Sequence, residues 1–442
     1  RRGGSQAPDD PQGRPGRRGL TPATLDRSDV DGFHTVGQPA AVAAVHAMLG
    51  SHVPHALLLV GPASVGKHQL AMDLAAALLC TGAAGADRPC RECRGCRMVE
   101  HGNHPDLHRL APSGPGNQIK VGEDQHPEPG TIRRLAVDLS LLPVEGGERV
   151  AIIRDAQRMN DVAQSALLKT LEEPPLSTTL VLCVDDEEQL LPTIRSRCAK
   201  VRLGTLSTRD VELLLAREGL ADPPTAARLA RLVGGRPGIA VAYAAAPEAE
   251  RVRGELVRTL LDLLARGRAD RLVAGKDLLA RAMTLAKALE PAPAAAAEAP
   301  KRRGKGKAAG SAAIAGADGP APTDAASADG PEAEAAPDAG SGAGKVTASE
   351  RRRALSLLLD IWRDLARDLA CAQRGAPGSV RDVALLEEVL AAARDLPPGA
   401  AAAALARLVR AGELLEVNAT PELVLDVLLV RWPRRGRTAG AA

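Results

Sequence analysis

The sequence predicts an α/β domain built on a parallel sheet, followed by segments that are wholly helical. Three observations carry this expectation. Short β-rich apolar runs alternate with helix-patterned stretches between residues 32 and 203, as they do where helices cover both faces of a parallel sheet. A glycine-rich stretch ending in lysine, "GPASVGK", follows the first apolar run and opens a helix pattern. From residue 205 onward the β-rich runs stop and apolar residues recur at helical spacing.

Strands are expected at "ALLLV" (56–60), "VAIIR" (150–154) and "LVLCV" (180–184), each bounded by turn or polar residues. Between them, "KHQLAMDLAAALL" places Leu70, Leu74 and Leu78 on one helix face. Residues 205–250 read as a small helical lid, in which Ser207 caps a helix and Gly219 ends it. Residues 251–290 and 349–433 form a second all-helical unit. There Leu355, Leu358, Trp362, Leu365 and Leu369 share a face, and the last helix opens with Thr420 as cap and Pro421 in the first turn. The two parts are separated by a low-complexity linker, residues 291–348, rich in Ala, Pro, Gly and Ser and containing the basic run "KRRGKGK". Residues 1–31 carry no apolar pattern and are expected to be a disordered extension.

Composition narrows the function classes. A chain of 442 residues has room for two or three cores. With a net charge of +3 and 25% charged residues, no global field commits it to nucleic acid or to a membrane. No apolar run approaches the ~18 residues that span a bilayer, and the N-terminal stretch offers no apolar signal segment. A cytoplasmic protein without a membrane partner is therefore expected. The aromatics Phe33, Tyr243, Trp362 and Trp432 are too few to build a stacking surface for bases.

Four cysteines stand at close spacing in a polar segment: Cys80, Cys90, Cys93 and Cys96. Four thiolates suit a structural, tetrahedral Zn²⁺ site with no position left open for water. An iron-sulfur arrangement needs a further cysteine followed by proline after Cys96, and "RMVE" stands there. A metal-free thiol loop is the alternative, and His101, His104 and His108 are substitute ligands within reach in sequence. Cys183, Cys198 and Cys371 are expected to be buried or incidental.

The glycine-rich stretch matches the phosphate-loop pattern G-x-x-x-x-G-K-[ST] at Gly61, Gly66 and Lys67, and then departs from it. His68 stands where a hydroxyl should ligate Mg²⁺. The second strand ends in Arg154 and Asp155, followed by Ala156. If Arg154 takes the metal position, a cation replaces a ligand; if Asp155 does, the water-activating acid is missing. Hydrolysis of ATP is unexpected in either register, while Gly61, Gly66, Lys67, His68 and Asp155 form a degenerate loop with two readings: one that still holds phosphate, and a relic kept because it packs.

The run "HALLLVGPASVGKHQLAMDLAAALLC", the four cysteines, "MNDVAQSALLKTLEEPP" and "LLPTIRSRC" together resemble bacterial clamp-loader subunits of the AAA+ class, over residues 36 to about 245. The resemblance implies an AAA+ domain over 32–204 with its zinc module at 80–96, the helical lid, and a helical collar that joins subunits into a five-membered ring. It implies that Ser196-Arg197-Cys198 presents Arg197 as an arginine finger to a neighbouring subunit's nucleotide, with Arg195 structural. ATPase subunits of this family, gamma/tau, keep complete nucleotide motifs and a sensor arginine; in "GGRPGIA" (234–240) Gly238 falls at that arginine's place, with Arg236 two residues away. The implied role is a non-hydrolysing subunit of DNA polymerase III. Its implied partners are gamma/tau and delta subunits and, through the ring, the sliding clamp and primer-template DNA. The alternatives are a gamma/tau-type ATPase and a stand-alone DNA-binding AAA+ module, the latter disfavoured because no basic stripe is visible. The segment at 291–348 departs from the family pattern.

Overall fold

The structure, a computed structural model, describes residues 32–114, 116–145, 147–289, 347–416 and 419–436. The extension at 1–31 and nearly all of the 291–348 segment, including "KRRGKGK", lie outside the described residues.

Five strands, β1 (Ala56–Val60), β2 (Leu107–Leu110), β3 (Arg149–Ile153), β4 (Thr178–Val184) and β5 (Ala199–Arg202), pair in parallel in the order β2-β3-β4-β1-β5. The first domain also holds helices α1 (Pro39–Gly50), α2 (Lys67–Leu78), α3 (Arg94–Glu100), α4 (Ile132–Ser140), α5 (Asp161–Glu172) and the single turn α6 (Pro192–Arg195). Strands β1, β3 and β4 are buried throughout, which is why their sequences are nearly continuous apolar runs. Leu57, Leu59, Val150, Ile152, Val181 and Cys183 face α1 and α2, where they meet Val42, Leu70 and Leu74. Leu58, Val60, Ala151, Ile153 and Leu182 face the other way, onto Leu135 and Leu139 of α4 and Leu167 of α5.

The expected strands are present with shifted ends: β3 starts one residue early and stops at Ile153, and β4 reaches back to Thr178. Strands β2 and β5 were not expected from sequence. They are the sheet edges, so "LHRL" and "AKVR" leave residues exposed and carry no apolar run.

The helical part comprises α7 (Thr208–Arg217), α8 (Pro223–Leu232), α9 (Pro237–Ala245), α10 (Pro247–Asp262), α11 (Arg268–Ala288), α12 (Ala348–Gln373), α13 (Leu386–Asp395), α14 (Ala400–Glu416) and α15 (Pro421–Arg431). One hydrophobic cluster runs through it from Leu206 to Trp432 and contains all five of the α12 residues expected to share a face. Trp362 and Trp432 meet edge to face at 5.0 Å. Trp432 donates its indole N–H to the Leu260 carbonyl at 3.0 Å. The fully buried Arg271 donates to the carbonyls of Leu263 (2.9 Å), Arg266 (3.1 Å), Pro433 (2.8 Å) and Trp432. Its charge thus sits among the carbonyls that close α10 and α15, where a helix end favours a cation.

Capping follows the sequence at Ser207, which forms a reciprocal box with Asp210. A second box, Thr347 with Glu350, opens α12, so the residue that ends the expected linker, Ala348, is already helical. Thr420 corrects an expectation: its side chain caps nothing. Pro421 does take the first turn, and the bond from the start of α15 is instead Val424 N–H to the Thr420 carbonyl at 3.1 Å. Among the described residues no helix is long and apolar enough to cross a membrane.

Candidate functional site

The phosphate loop connects β1 to α2. A Cβ on Gly61 would lie 2.2 Å from the Leu203 carbonyl oxygen, so only glycine lets the end of β5 approach here. Gly66 has φ +106°, a left-handed conformation that turns the chain into α2. Lys67 folds back on the loop: its Nζ donates to the carbonyls of Gly61 (2.6 Å) and Pro62 (2.8 Å) and pairs with Asp185 Oδ1 at 2.7 Å. Gln38 closes the base of the loop, donating to the carbonyls of Gly204 (2.6 Å) and Val65 (3.3 Å).

From the helical part, Gly238 N–H donates to the Ser64 carbonyl at 3.0 Å, and a Cβ on Gly238 would lie 3.2 Å from two atoms of Ser64. A side chain at this position would have to displace the loop. Arg236 points elsewhere, donating to the Val233 carbonyl (3.0 Å) and to Asp364 of α12 (3.4 Å).

The end of β3 favours the first of the two registers that the sequence leaves open. Val150 and Ile152 face α2, and Arg154, next in that alternation, follows them toward the start of the same helix. Asp155 adopts φ +48° and begins a turn in which its carbonyl accepts from Arg158 N–H at 2.8 Å. His68 therefore has a guanidinium, not a carboxylate, for company. Burial, then Arg154, then Arg109 hold its imidazole down to about 4, and its Nδ1 is buried without a hydrogen-bond partner. Neither residue offers Mg²⁺ the oxygen donors it requires.

A pH effect follows. The folded chain resists protonating His68 down to about 4, whereas an unfolded histidine takes up its proton near 6.5. Stability is thus expected to fall as pH drops from about 6.5 toward 4, because only the unfolded state gains a proton in that window. His68→Asn should flatten this part of the curve. Thermal midpoints of the two proteins at pH 7 and 5 check it, and parallel losses would count against the buried neutral imidazole.

The four cysteine sulfurs converge within 4.8 Å of one another. Cys80 Sγ lies 3.6 Å from Cys90 Sγ and 4.0 Å from Cys93 Sγ. A tetrahedral ion with metal-sulfur bonds of about 2.3 Å requires edges of roughly 3.8 Å, so the set fits a metal ion. Cys80 follows α2, Cys93 caps α3 and Cys96 lies within α3. The amides of Cys93 and Cys96 point at the sulfurs of Cys90 and Cys93, both at 3.4 Å. Burial pushes the Cys93 thiol up, but the amides of Cys96 and Thr81 outweigh it and bring it down to about 5. Cys80 is also lowered against its burial, by the amides of Cys90 and Gly82, while burial raises Cys96. His104 is engaged elsewhere, accepting from Asp106 N–H at 3.1 Å, and the cluster contains no histidine.

One contact missed by sequence reasoning ties this cluster to the phosphate-loop helix. Arg91, between two of the cysteines, donates to Asp73 Oδ1 of α2 (2.5 Å) and to the Gly32 carbonyl (2.5 Å). Asp73 is fully buried, and its other oxygen accepts from the His34 amide and from the amide and hydroxyl of Thr35.

Arg197 lies just before β5, after the turn α6. Strands β5 and β1 are parallel neighbours, and the phosphate loop follows β1. Arg197 and Gly61 therefore occupy opposite ends of the sheet, about 13 Å or more apart by strand rise. The guanidinium is exposed and pairs with Glu172 Oε1 at 2.7 Å and the Thr193 carbonyl at 3.0 Å. Arg195 is the less exposed of the two and pairs with Glu188 at 2.5 Å. Ser196 is exposed and donates to the Thr193 carbonyl at 3.1 Å, and Cys198 is buried. Burial likewise claims Cys183, while Cys371 is half-buried.

A phosphate loop after β1, a five-stranded parallel sheet with β1 between β4 and β5, and helices beyond it are the arrangement of a P-loop fold and fit the AAA+ class. Residues 37–207 match the family described as DNA polymerase III, delta subunit. DNA polymerase III subunit delta' of Pseudomonas aeruginosa is 37% identical over 185 residues, covering 41% of this chain and 53% of that protein. The Escherichia coli protein of the same name is 35% identical over 188 residues, 42% of this chain and 54% of that protein. DNA polymerase III subunit tau/gamma of Haemophilus influenzae is 31% identical over 182 residues, 41% of this chain and 25% of that protein. The chain spans about half the length of the delta-prime relatives it matches. Within that segment it resembles delta-prime subunits and is related to tau/gamma.

Proposed function

We propose that this chain is a delta-prime-type component of a DNA polymerase III clamp loader, one that hydrolyses no ATP and supplies Arg197 to a neighbouring gamma/tau-type subunit. The observation that carries this reading is His68, a buried imidazole within the electrostatic reach of Arg154, standing at the metal end of a loop that keeps Gly61, Gly66 and Lys67. A phosphate loop without Mg²⁺ ligands cannot stabilise the charge that phosphoryl transfer spreads over the γ-phosphate. Arg197 lies too far from its own loop to act there, and its exposure suits a role in trans. Ser196 and Cys198 flank it, the first at the surface and the second as a buried anchor.

The cysteine cluster holds a structural Zn²⁺ ion in this reading. The helices of 205–250 act as lid, and those of 251–290 and 349–433 act as collar in a ring with gamma/tau and delta subunits. Through that assembled complex the chain serves the loading of the sliding clamp on primer-template DNA in the cytoplasm. Purified chain is expected to show no ATP turnover above background and to co-elute with gamma/tau and delta subunits as one complex. Turnover by the isolated chain that Lys67→Ala abolishes would instead make it a gamma/tau-type ATPase.

A further inference from the structure

We propose that the helical part of this chain carries an anion site of its own, separate from the phosphate loop, in which arginines between α8, α10 and the segment before α13 take the diphosphate group of a small ligand.

A cavity of about 290 Å³ opens there. Its lining holds five arginines, Arg228, Arg251, Arg253, Arg258 and Arg381, against two acids, Glu250 and Asp382. Three of the arginines are fixed by acids that do not belong to the lining. Arg381 donates to Asp364 at 3.1 Å, Arg258 donates to Glu388 at 3.3 Å, and Arg251 is held by both Glu248 and Glu255. Within the lining, Arg228 pairs with Glu250, and the buried Arg253 donates to Asp382 Oδ2 at 2.6 Å. That wall is pinned in turn: the amides of Arg381 and Asp382 donate to Asp368 Oδ2 at 3.1 and 3.2 Å. Arg253, Arg258 and Arg381 each hold their acid through one guanidinium nitrogen. The other donors of each planar fork are left for a ligand.

Gly254 supplies an independent observation. It lies in the interior of α10, where glycine is a poor helix former. A Cβ there would have a single neighbour within 4 Å, Arg258 Nη1 at 3.9 Å, so no close approach requires the glycine. What the missing side chain preserves is open floor beneath the Arg258 guanidinium. The buried Leu232 and Leu385 back the cavity, and an apolar backing strengthens the charge-assisted hydrogen bonds made in front of it. A lone carboxylate satisfies one fork. A diphosphate presents oxygens in several directions, as forks arriving from α8, α10 and residues 381–385 require. Its binding would tie these three segments together.

Calorimetric titration of the full chain with inorganic pyrophosphate and with ADP, without added Mg²⁺ and in a Lys67→Ala background that silences the phosphate loop, tests this. Pyrophosphate is expected to bind and to raise the thermal midpoint, and sodium sulfate at matched ionic strength to raise it less. ADP binding at least as tight as pyrophosphate would support the site and assign it to a nucleoside diphosphate; pyrophosphate binding alone would support it and assign it to the inorganic anion. Arg258→Gln, at an exposed position, should weaken pyrophosphate binding by roughly ten- to a hundredfold, the size of a lost hydrogen bond between charged groups. Gly254→Leu should weaken it as much by filling the floor, while the midpoint of the ligand-free chain stays level or rises, because leucine is the better helix former. No pyrophosphate binding, equal effects of sulfate and pyrophosphate, or unchanged affinity in either variant overturns the proposal. None of these outcomes bears on ATP turnover or on Arg197, so the two readings fail separately.

Discussion

With zinc held as proposed, Cys93→Ser is expected to empty the cysteine site and to destabilise the α/β domain by roughly 3–5 kcal/mol, since a bound metal is folding free energy for the loop around it. Cys93 sits at the centre of the cluster, 4.0 Å from the Cys80 sulfur and facing the amide of Cys96. A serine there retains the shape but not the thiolate. The loss also spreads beyond the loop. Arg91 is held between Cys90 and Cys93, and its guanidinium neutralises the buried Asp73. Without the metal that guanidinium is released, leaving a buried carboxylate with its neutral donors alone. Metal analysis should show one zinc per wild-type chain and none in the variant, with a lower thermal midpoint. Full occupancy and an unchanged midpoint in Cys93→Ser would refute the four-cysteine site.

Arg197→Ala is expected to leave folding intact and to lower ATP hydrolysis at the adjoining gamma/tau-type site by about 10³-fold or more, the scale of an arginine finger. Folding is spared because the pair with Glu172 is solvent-exposed at both partners and such pairs contribute little. In the proposed role the rate effect is large, because a guanidinium delivered to a neighbour's nucleotide would meet charge that develops only in the transition state. Arg197→Lys should recover little, since an ammonium lacks the planar fork. Single-turnover hydrolysis in a reconstituted complex reads the site directly, and clamp loading should fall with it.

How far the sequence predicts these sites depends on how local their partners are. Strands β1, β3 and β4 are legible because burial on both faces makes them apolar runs, whereas β2 and β5 are edges and read as loops. The cysteine spacing announces a cluster able to hold a metal ion because its four sulfurs come from one short segment. The unreadable contacts are those that folding brings together from a distance. Lys67 meets Asp185 across 118 positions, and nothing in either neighbourhood marks the pair. Arg154 comes within electrostatic reach of His68 only because the end of β3 lies near the start of α2, a proximity that neither local sequence marks. Thr420 shows the opposite failure: the capping residue was present, but with proline in the first turn the backbone carbonyl alone closes the helix start.

That this chain acts on a neighbour's nucleotide and hydrolyses none of its own is tested most directly by ATP turnover in reconstituted complexes that differ only in this subunit, carrying wild type, Lys67→Ala or Arg197→Ala. Turnover and clamp loading equal to wild type with Lys67→Ala, and lost at the adjoining site with Arg197→Ala, is the predicted result. Turnover that falls with Lys67→Ala and survives Arg197→Ala would contradict it.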